Sequence, residues 1–248
     1  MTASPAMAED FHIYAGEVAP LNYQDASGQA KGFIVDLLQE IMLRVGKTVD
    51  PDNVHFYPWA RCMKEVASGS GGILLSAVRS PEREGLFRWI GPVASVRFGL
   101  IGRRDRHLPL LGDDLSGYRI GVIRDSAPVQ ILINKYGLDE STLLALTETE
   151  QQFLMLELGR VDMIAQSDVS SGFFLDRLGL NPDTFEMVKV LAHPDLYLAF
   201  SPDTDDEFIR AAQKTLEDIQ APRPDGSSLY EDMEKVHRVH SAILIREP

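Results

Sequence analysis

One cysteine, Cys62, stands in 248 residues, so the chain can form no disulfide within itself. Its expected place is a small apolar slot in the core. None of the six histidines shares a motif with it that would make a catalytic thiol. No Cys/His spacing suits zinc, and no metal or other cofactor is expected. A Gly-rich phosphate loop and a Gly-x-Ser-x-Gly elbow are both missing. No apolar run approaches the roughly 18 residues of a membrane helix. Positive charge is scarce, with 24 Lys and Arg against 37 Asp and Glu, a net charge of −13. Binding a phosphate backbone needs basic surface, so nucleic acid is not an expected partner. The acidic balance chiefly favours solubility. The chain has no internal repeat and no low-complexity segment.

Hydrophobic residues make up 44% and charged residues 25%, which fits a globular chain with a sizeable core. The length suits one large domain or two smaller ones. At the start, Ala6-Met7-Ala8 before Glu9-Asp10 looks like the small-residue cleavage site of a secretory signal. The basic and apolar regions of such a signal do not precede it. Residues 1–8 are therefore expected to be a signal remnant or a flexible start, and the trimmed signal would imply an exported protein.

Hydrophobic spacing predicts strands at 11–15, 54–57, 73–77, 96–101, 119–123, 161–165 and 196–200. It predicts helices at 33–45, 59–67, 81–86, 148–158, 170–178, 205–219 and 229–239, with another opened by 124–128. Residues 17–32 read as a loop with a tight turn at Ser27-Gly28. Strands alternating with helices argue for an α/β architecture with mostly parallel sheets. In such sheets ligands sit beyond the carboxyl ends of the strands. Polar clusters at 76–83, 124–127 and 166–168 lie at such ends and could face one cleft.

The stretch 76–92, SAVRSPEREGLFRWIGP, is the most informative. An apolar run at 73–75 leads into Arg79, Arg83 and Arg88 among small polar residues, and a Trp-Ile-Gly-Pro break ends it. Arginines just past a strand end can hold a carboxylate by a two-pronged charge-assisted hydrogen bond. The alternative is a solvated charged turn.

The order of these pieces resembles the family 3 bacterial extracellular solute-binding proteins, the receptors of polar amino acid ABC transporters. Four blocks carry the resemblance: Ala19-Pro20-Leu21-Asn22-Tyr23 with Gly28 and 32–38; 76–83; 115–122; and Leu158-Gly159-Arg160-Val161-Asp162. It implies a type II periplasmic-binding-protein-like clamshell, two α/β lobes joined by two hinge crossovers. Lobe one would be 9–94 with 195–248 and lobe two 95–194, with hinges near 94–96 and 192–195. It implies a periplasmic protein that delivers a small ligand, an amino acid or related carboxylate, to an ABC transporter permease.

By the same resemblance Arg83 grips the ligand carboxylate, Ser76 hydrogen-bonds it and the Val78 backbone adds a donor. Ser126 and Ala127 start a helix that caps the carboxylate, and Ser167 and Asp168 supply the amino-group contact. Departures are an acid one position late, with Ser167 in its place, Ala127 in place of a hydroxyl residue, Gly71-Gly72 in place of Asp-Ala, and Leu75 and Val78 in place of polar residues. Arg79 and the Trp59-Ala60-Arg61 block are additions that suit a second carboxylate or another anion. Each candidate has a plainer alternative. For Arg83 it is an ion pair, for Arg79 a salt bridge to Glu82 or to an acid of lobe two, and for Arg61 a solvated helix face. For Trp59 it is the core, for Tyr23 loop packing, for Glu17 solvation, and for Ser126 and Asp168 a helix cap. Two other functions fit the same scaffold: an enzyme resembling the periplasmic cyclohexadienyl dehydratases, with Glu17 or Asp168 as acid, and a sensory binding module. No acid/base pair in the sequence demands catalysis, so binding without turnover is the expectation.

Overall fold

The computed structural model of the chain describes residues 11–109 and 112–237. The expected signal remnant at 1–8 and the end of the expected helix 229–239 lie outside the described residues.

The elements run β1 (His12–Ala15), β2 (Tyr23–Gln24), β3 (Ala30–Lys31), α1 (Phe33–Arg44), β4 (Val54–Phe56), α2 (Trp59–Ser68), β5 (Gly72–Val78), β6 (Arg88–Ser95), β7 (Phe98–Arg103) and β8 (Ile120–Ile123). They continue α3 (Ala127–Tyr136), β9 (Leu144–Leu146), α4 (Thr149–Glu157), β10 (Met163–Ser167), α5 (Asp168–Arg177), β11 (Phe185–Ala192), β12 (Asp195–Phe200), α6 (Asp206–Gln220) and α7 (Leu229–His237). One five-stranded sheet has the order β4-β1-β5-β12-β6 and the other β11-β7-β10-β8-β9. Each sheet with its helices forms an α/β lobe.

β5 is central in the first sheet and buried on both faces, which is why it reads as an unbroken apolar run. α1 and α6 cover one face, burying Phe33, Leu37, Leu38, Ile41, Ala212, Leu216 and Ile219. α2 covers the other, with Cys62 and Val66 against Leu74, Ala77 and Ala199. In the second lobe α3 packs Val129 and Leu132 on one face, and α4 and α5 pack Phe153, Leu156, Phe174 and Leu175 on the other. Asp205 starts α6 by accepting from the Phe208 N–H at 2.9 Å, the usual role of a carboxylate at a helix start.

The chain passes from one sheet to the other through residues 96–97 and returns through 193–194. The two crossovers touch: Val96 N donates to Pro194 O at 3.1 Å, and Ser95 Oγ donates to Asp195 Oδ1 at 2.5 Å.

Three expectations need correction. The sheets are mixed, because β12 runs antiparallel to β5 and β6, and β7 antiparallel to β10 and β11. The strands that cross between the lobes impose this. The expected break at Trp-Ile-Gly-Pro is instead the middle of β6, where Ile90 and Val93 are fully buried. β6 is an edge strand, the place where a sheet tolerates proline. The expected helix at 81–86 is a turn followed by a single 3-10 turn at Glu84–Leu86, with Arg83 N bonded to Ser80 O and Leu86 N to Arg83 O. β11, β9 and the β2–β3 hairpin were not expected from spacing. Two bulges in β11, between Met187 and Lys189 and between Val190 and Ala192, break the alternation that marks a strand.

Candidate functional site

A cleft enclosing about 800 Å³ of empty space, its mouth included, lies between the lobes. Its walls come from the carboxyl ends of β1, β4 and β5 on one side and of β8, β9 and β10 on the other. Beyond those ends the backbone turns away and leaves room for a ligand.

Arg83 is the key side chain on the first wall. It is only 2% exposed. Its Nη1 donates to Val78 O at 3.3 Å in its own lobe, and its Nη2 donates to Asp125 O at 2.8 Å in the other. Its Nε is buried without a partner. Burial pulls its pKa below the ordinary arginine value, while Glu82 and Asp125 pull it back up. Trp59 stands beside it, with its ring centre 5.9 Å from the guanidinium carbon. The indole Nε1 donates to the same Asp125 carbonyl at 3.1 Å. Gly16 lets the ring approach the loop after β1, since a Cβ there would be 3.3 Å from Trp59 Cε3.

Ser76 is 5% exposed with φ 56°, and Asp125 has φ 57°. Left-handed backbone at non-glycine residues costs about 1–3 kcal/mol and clusters at ligand sites. The Ser76 hydroxyl donates to Asn22 Oδ1, and Asn22 Nδ2 donates to Gly16 O at 2.7 Å. This relay fixes the loop after β1, which carries Glu17. Facing it, Ser126 sits at the N-cap of α3 without capping it, and its hydroxyl is buried with no partner.

Of the expected site residues, Glu17, Trp59, Ser76, Val78, Arg83, Ser126, Ala127 and Ser167 line this one cleft. Four do not. Arg79 is turned outward and clamped by Glu84 at 2.5 Å, not by Glu82, and lies over Trp89 and Tyr197. Arg61 covers the Tyr57 ring at 3.7 Å and pairs with Glu65. Tyr23 packs against Phe173 of the second lobe, ring centres 4.8 Å apart. Asp168 is 7% exposed and faces a crossover: its Oδ1 accepts from Arg97 N at 3.1 Å and from Val169 N at 2.9 Å. Its carboxylate is spent on the backbone. Ser167, not Asp168, caps α5 by accepting from Ser170 N. Val78 serves Arg83 with its carbonyl.

The cleft also includes Tyr57, Phe98 and Glu148, which were not singled out, and Gln166 from the polar cluster at 166–168. Glu148 follows the end of β9, a strand that the spacing did not reveal, and Gln166 is the penultimate residue of β10. Cys62 plays no part. It is fully buried, and burial pushes its thiol up to about 11, so it stays neutral and unreactive near pH 7.

Two lobes, two touching crossovers and a cleft between the lobes define a two-lobed clamshell with the architecture of a binding protein. The chain belongs to the bacterial extracellular solute-binding proteins, family 3, whose model matches residues 13–223. A histidine kinase sensor domain with similarity to periplasmic binding proteins shares the fold. It has a TM-score of 0.79 at 19% identity, covering 97% of this chain and 99% of that one. The arginine-, lysine-, histidine-binding protein ArtJ from Geobacillus stearothermophilus matches with a TM-score of 0.72 at 16% identity, covering 93% and 96%. The virulence sensor protein BvgS of Bordetella pertussis is 21% identical over 159 residues, 64% of this chain. The matched part is 12% of that sensor's own length.

Proposed function

We propose that this chain is a periplasmic receptor that captures a small carboxylate-bearing ligand, an amino acid or a close analogue, between its lobes. The observation that carries this reading is Arg83. It is a buried guanidinium with an unsatisfied Nε in the wall of the interlobe cleft, bonded to both lobes at once. Buried polar groups without partners are rare. A carboxylate in the cleft would satisfy Nε, and the Ser126 hydroxyl stands across the cleft as a second donor. Ligand bound to both walls would stabilise the closed form by its differential affinity for it. The closed form would then be handed to the permease of an ABC transporter. In this reading no bond is made or broken.

Likeness to BvgS and to a kinase sensor domain supports a second reading of the output, in which closure is reported to a signalling partner. The two separate in cells: deletion of the gene removes ligand uptake in the first, and ligand-dependent transcription with uptake unchanged in the second.

The capture step is tested by a thermal-shift screen of amino acids, dicarboxylates, polyamines, sugars and prephenate. A ligand present at about 100 times its dissociation constant adds about 2.7 kcal/mol. For a chain of this size that is roughly 5–11 °C in Tm. The expected result is such a shift with one class of carboxylate and no turnover of prephenate. A shift confined to sugars, or prephenate consumption, would overturn the reading.

A further inference from the structure

Glu148 immediately precedes α4 on the second lobe and lines the same cleft as Arg83. It occupies the N-cap position without capping the helix, and among the described residues its carboxylate has no hydrogen-bond or ion-pair partner. Glu17 lines the cleft from the opposite lobe, and Glu150 follows two residues on. Among the described residues Arg177 is the one cation paired in this corner, at 3.0 Å from Glu17, which also accepts from Gln24 N at 3.3 Å, and 3.0 Å from Glu150. Three carboxylates against one guanidinium leave an excess of two negative charges. A second, polar cavity of about 680 Å³ shares Glu17, Tyr57, Glu148 and Thr149 with the cleft. Space therefore continues from the buried Arg83 to the acidic corner.

We propose that Glu148, with Glu17 across the cleft, is the specificity-determining pair that receives a cationic group of the ligand. The ligand is then dipolar, with its carboxylate on Arg83 and an ammonium or guanidinium at the acidic corner. This rests on the reading of Arg83 given above. It replaces the sequence-based expectation of a second anion, because Arg79 and Arg61 are paired away from the cleft. It also gives the cation an acid that is free, where Asp168 is bound to the backbone. Burial, then Glu17 and Glu150, raise the Glu148 pKa. A bound cation relieves that like-charge crowding, whereas the second carboxylate of a dicarboxylate would add to it.

The test is calorimetric titration of wild type and Glu148→Gln with lysine, 5-aminopentanoate, glutarate and cadaverine. Glu148 lies outside the core, so the variant keeps its fold, checked by an unchanged Tm. Lysine or 5-aminopentanoate should bind wild type on the order of tenfold tighter than glutarate, and Glu148→Gln should lose about tenfold for them. Glutarate binding as tightly, with Glu148→Gln unaffected, would overturn the assignment and leave Arg83 standing. Cadaverine binding as tightly as lysine, weakened by Glu148→Gln, would support the cation pair and overturn the carboxylate reading of Arg83. Binding of none of the four would overturn both.

Discussion

Arg83→Ala is expected to weaken binding of a carboxylate ligand by about tenfold to more than a hundredfold, the loss of one or two hydrogen bonds to a charged group at about 1.5–3 kcal/mol each. Three effects add. The ligand loses its guanidinium partner. The Asp125 carbonyl loses one of its two donors from the first lobe, leaving Trp59 alone. Val78 O loses the Nη1 bond at 3.3 Å. The second of these weakens closure itself. Stability should fall by only a few kcal/mol, since none of the four apolar clusters includes Arg83. Arg83→Lys should rescue little, because an ammonium cannot reach two carbonyls and a ligand in the planar geometry of a guanidinium. Titration beside thermal melting checks this, and an unchanged affinity for the carboxylate would refute the assignment.

Gly32→Ala is expected to destabilise the protein by about 3 kcal/mol or more, a fall of roughly 6–12 °C in Tm. Gly32 has φ 124°, and a Cβ there would lie 2.4 Å from Leu21 O and 2.8 Å from Pro20 O. Both obstacles are backbone and cannot swing aside. Those same carbonyls accept from Ile34 N at 2.8 Å and Phe33 N at 3.1 Å, which ties the loop after β1 to the start of α1. Forcing them apart breaks both bonds and displaces Asn22, the residue that holds Ser76 and Gly16. Affinity should therefore fall along with Tm. A variant that melts like wild type would mean the loop is not held by this approach.

Helices with a wide apolar stripe were legible in the sequence. α1 spans Phe33–Arg44 against an expected 33–45, and α6 begins at Asp206 with Asp205 as its cap. Strands buried on both faces were legible too, as β5 shows. β6 was hidden because glycine and proline sit in its middle, and only its place at a sheet edge makes them tolerable. In the site, the strand-end clusters named Ser76, Arg83, Ser126 and Ser167, and the structure places all four in the cleft wall. Sequence position could not say which way a side chain turns. Arg79 lies four residues before Arg83 yet faces solvent with Glu84, and Asp168 follows Ser167 yet is held by the backbone of Arg97. Those choices are made by long-range partners that spacing does not record. Glu148 stood only as the first residue of the expected helix 148–158, and its neighbours Glu17 and Arg177 come from distant segments.

The central claim is that ligand occupies the cleft between the lobes. Trp59 lines that cleft, while Trp89, the other tryptophan, packs outside it against Phe87 and Tyr197. The most direct test is a fluorescence titration of Trp89→Phe, in which Trp59 is the sole indole. The account predicts a saturable change in Trp59 emission at the concentration where the same ligand raises Tm. A ligand that raises Tm and leaves Trp59 emission unchanged would contradict it.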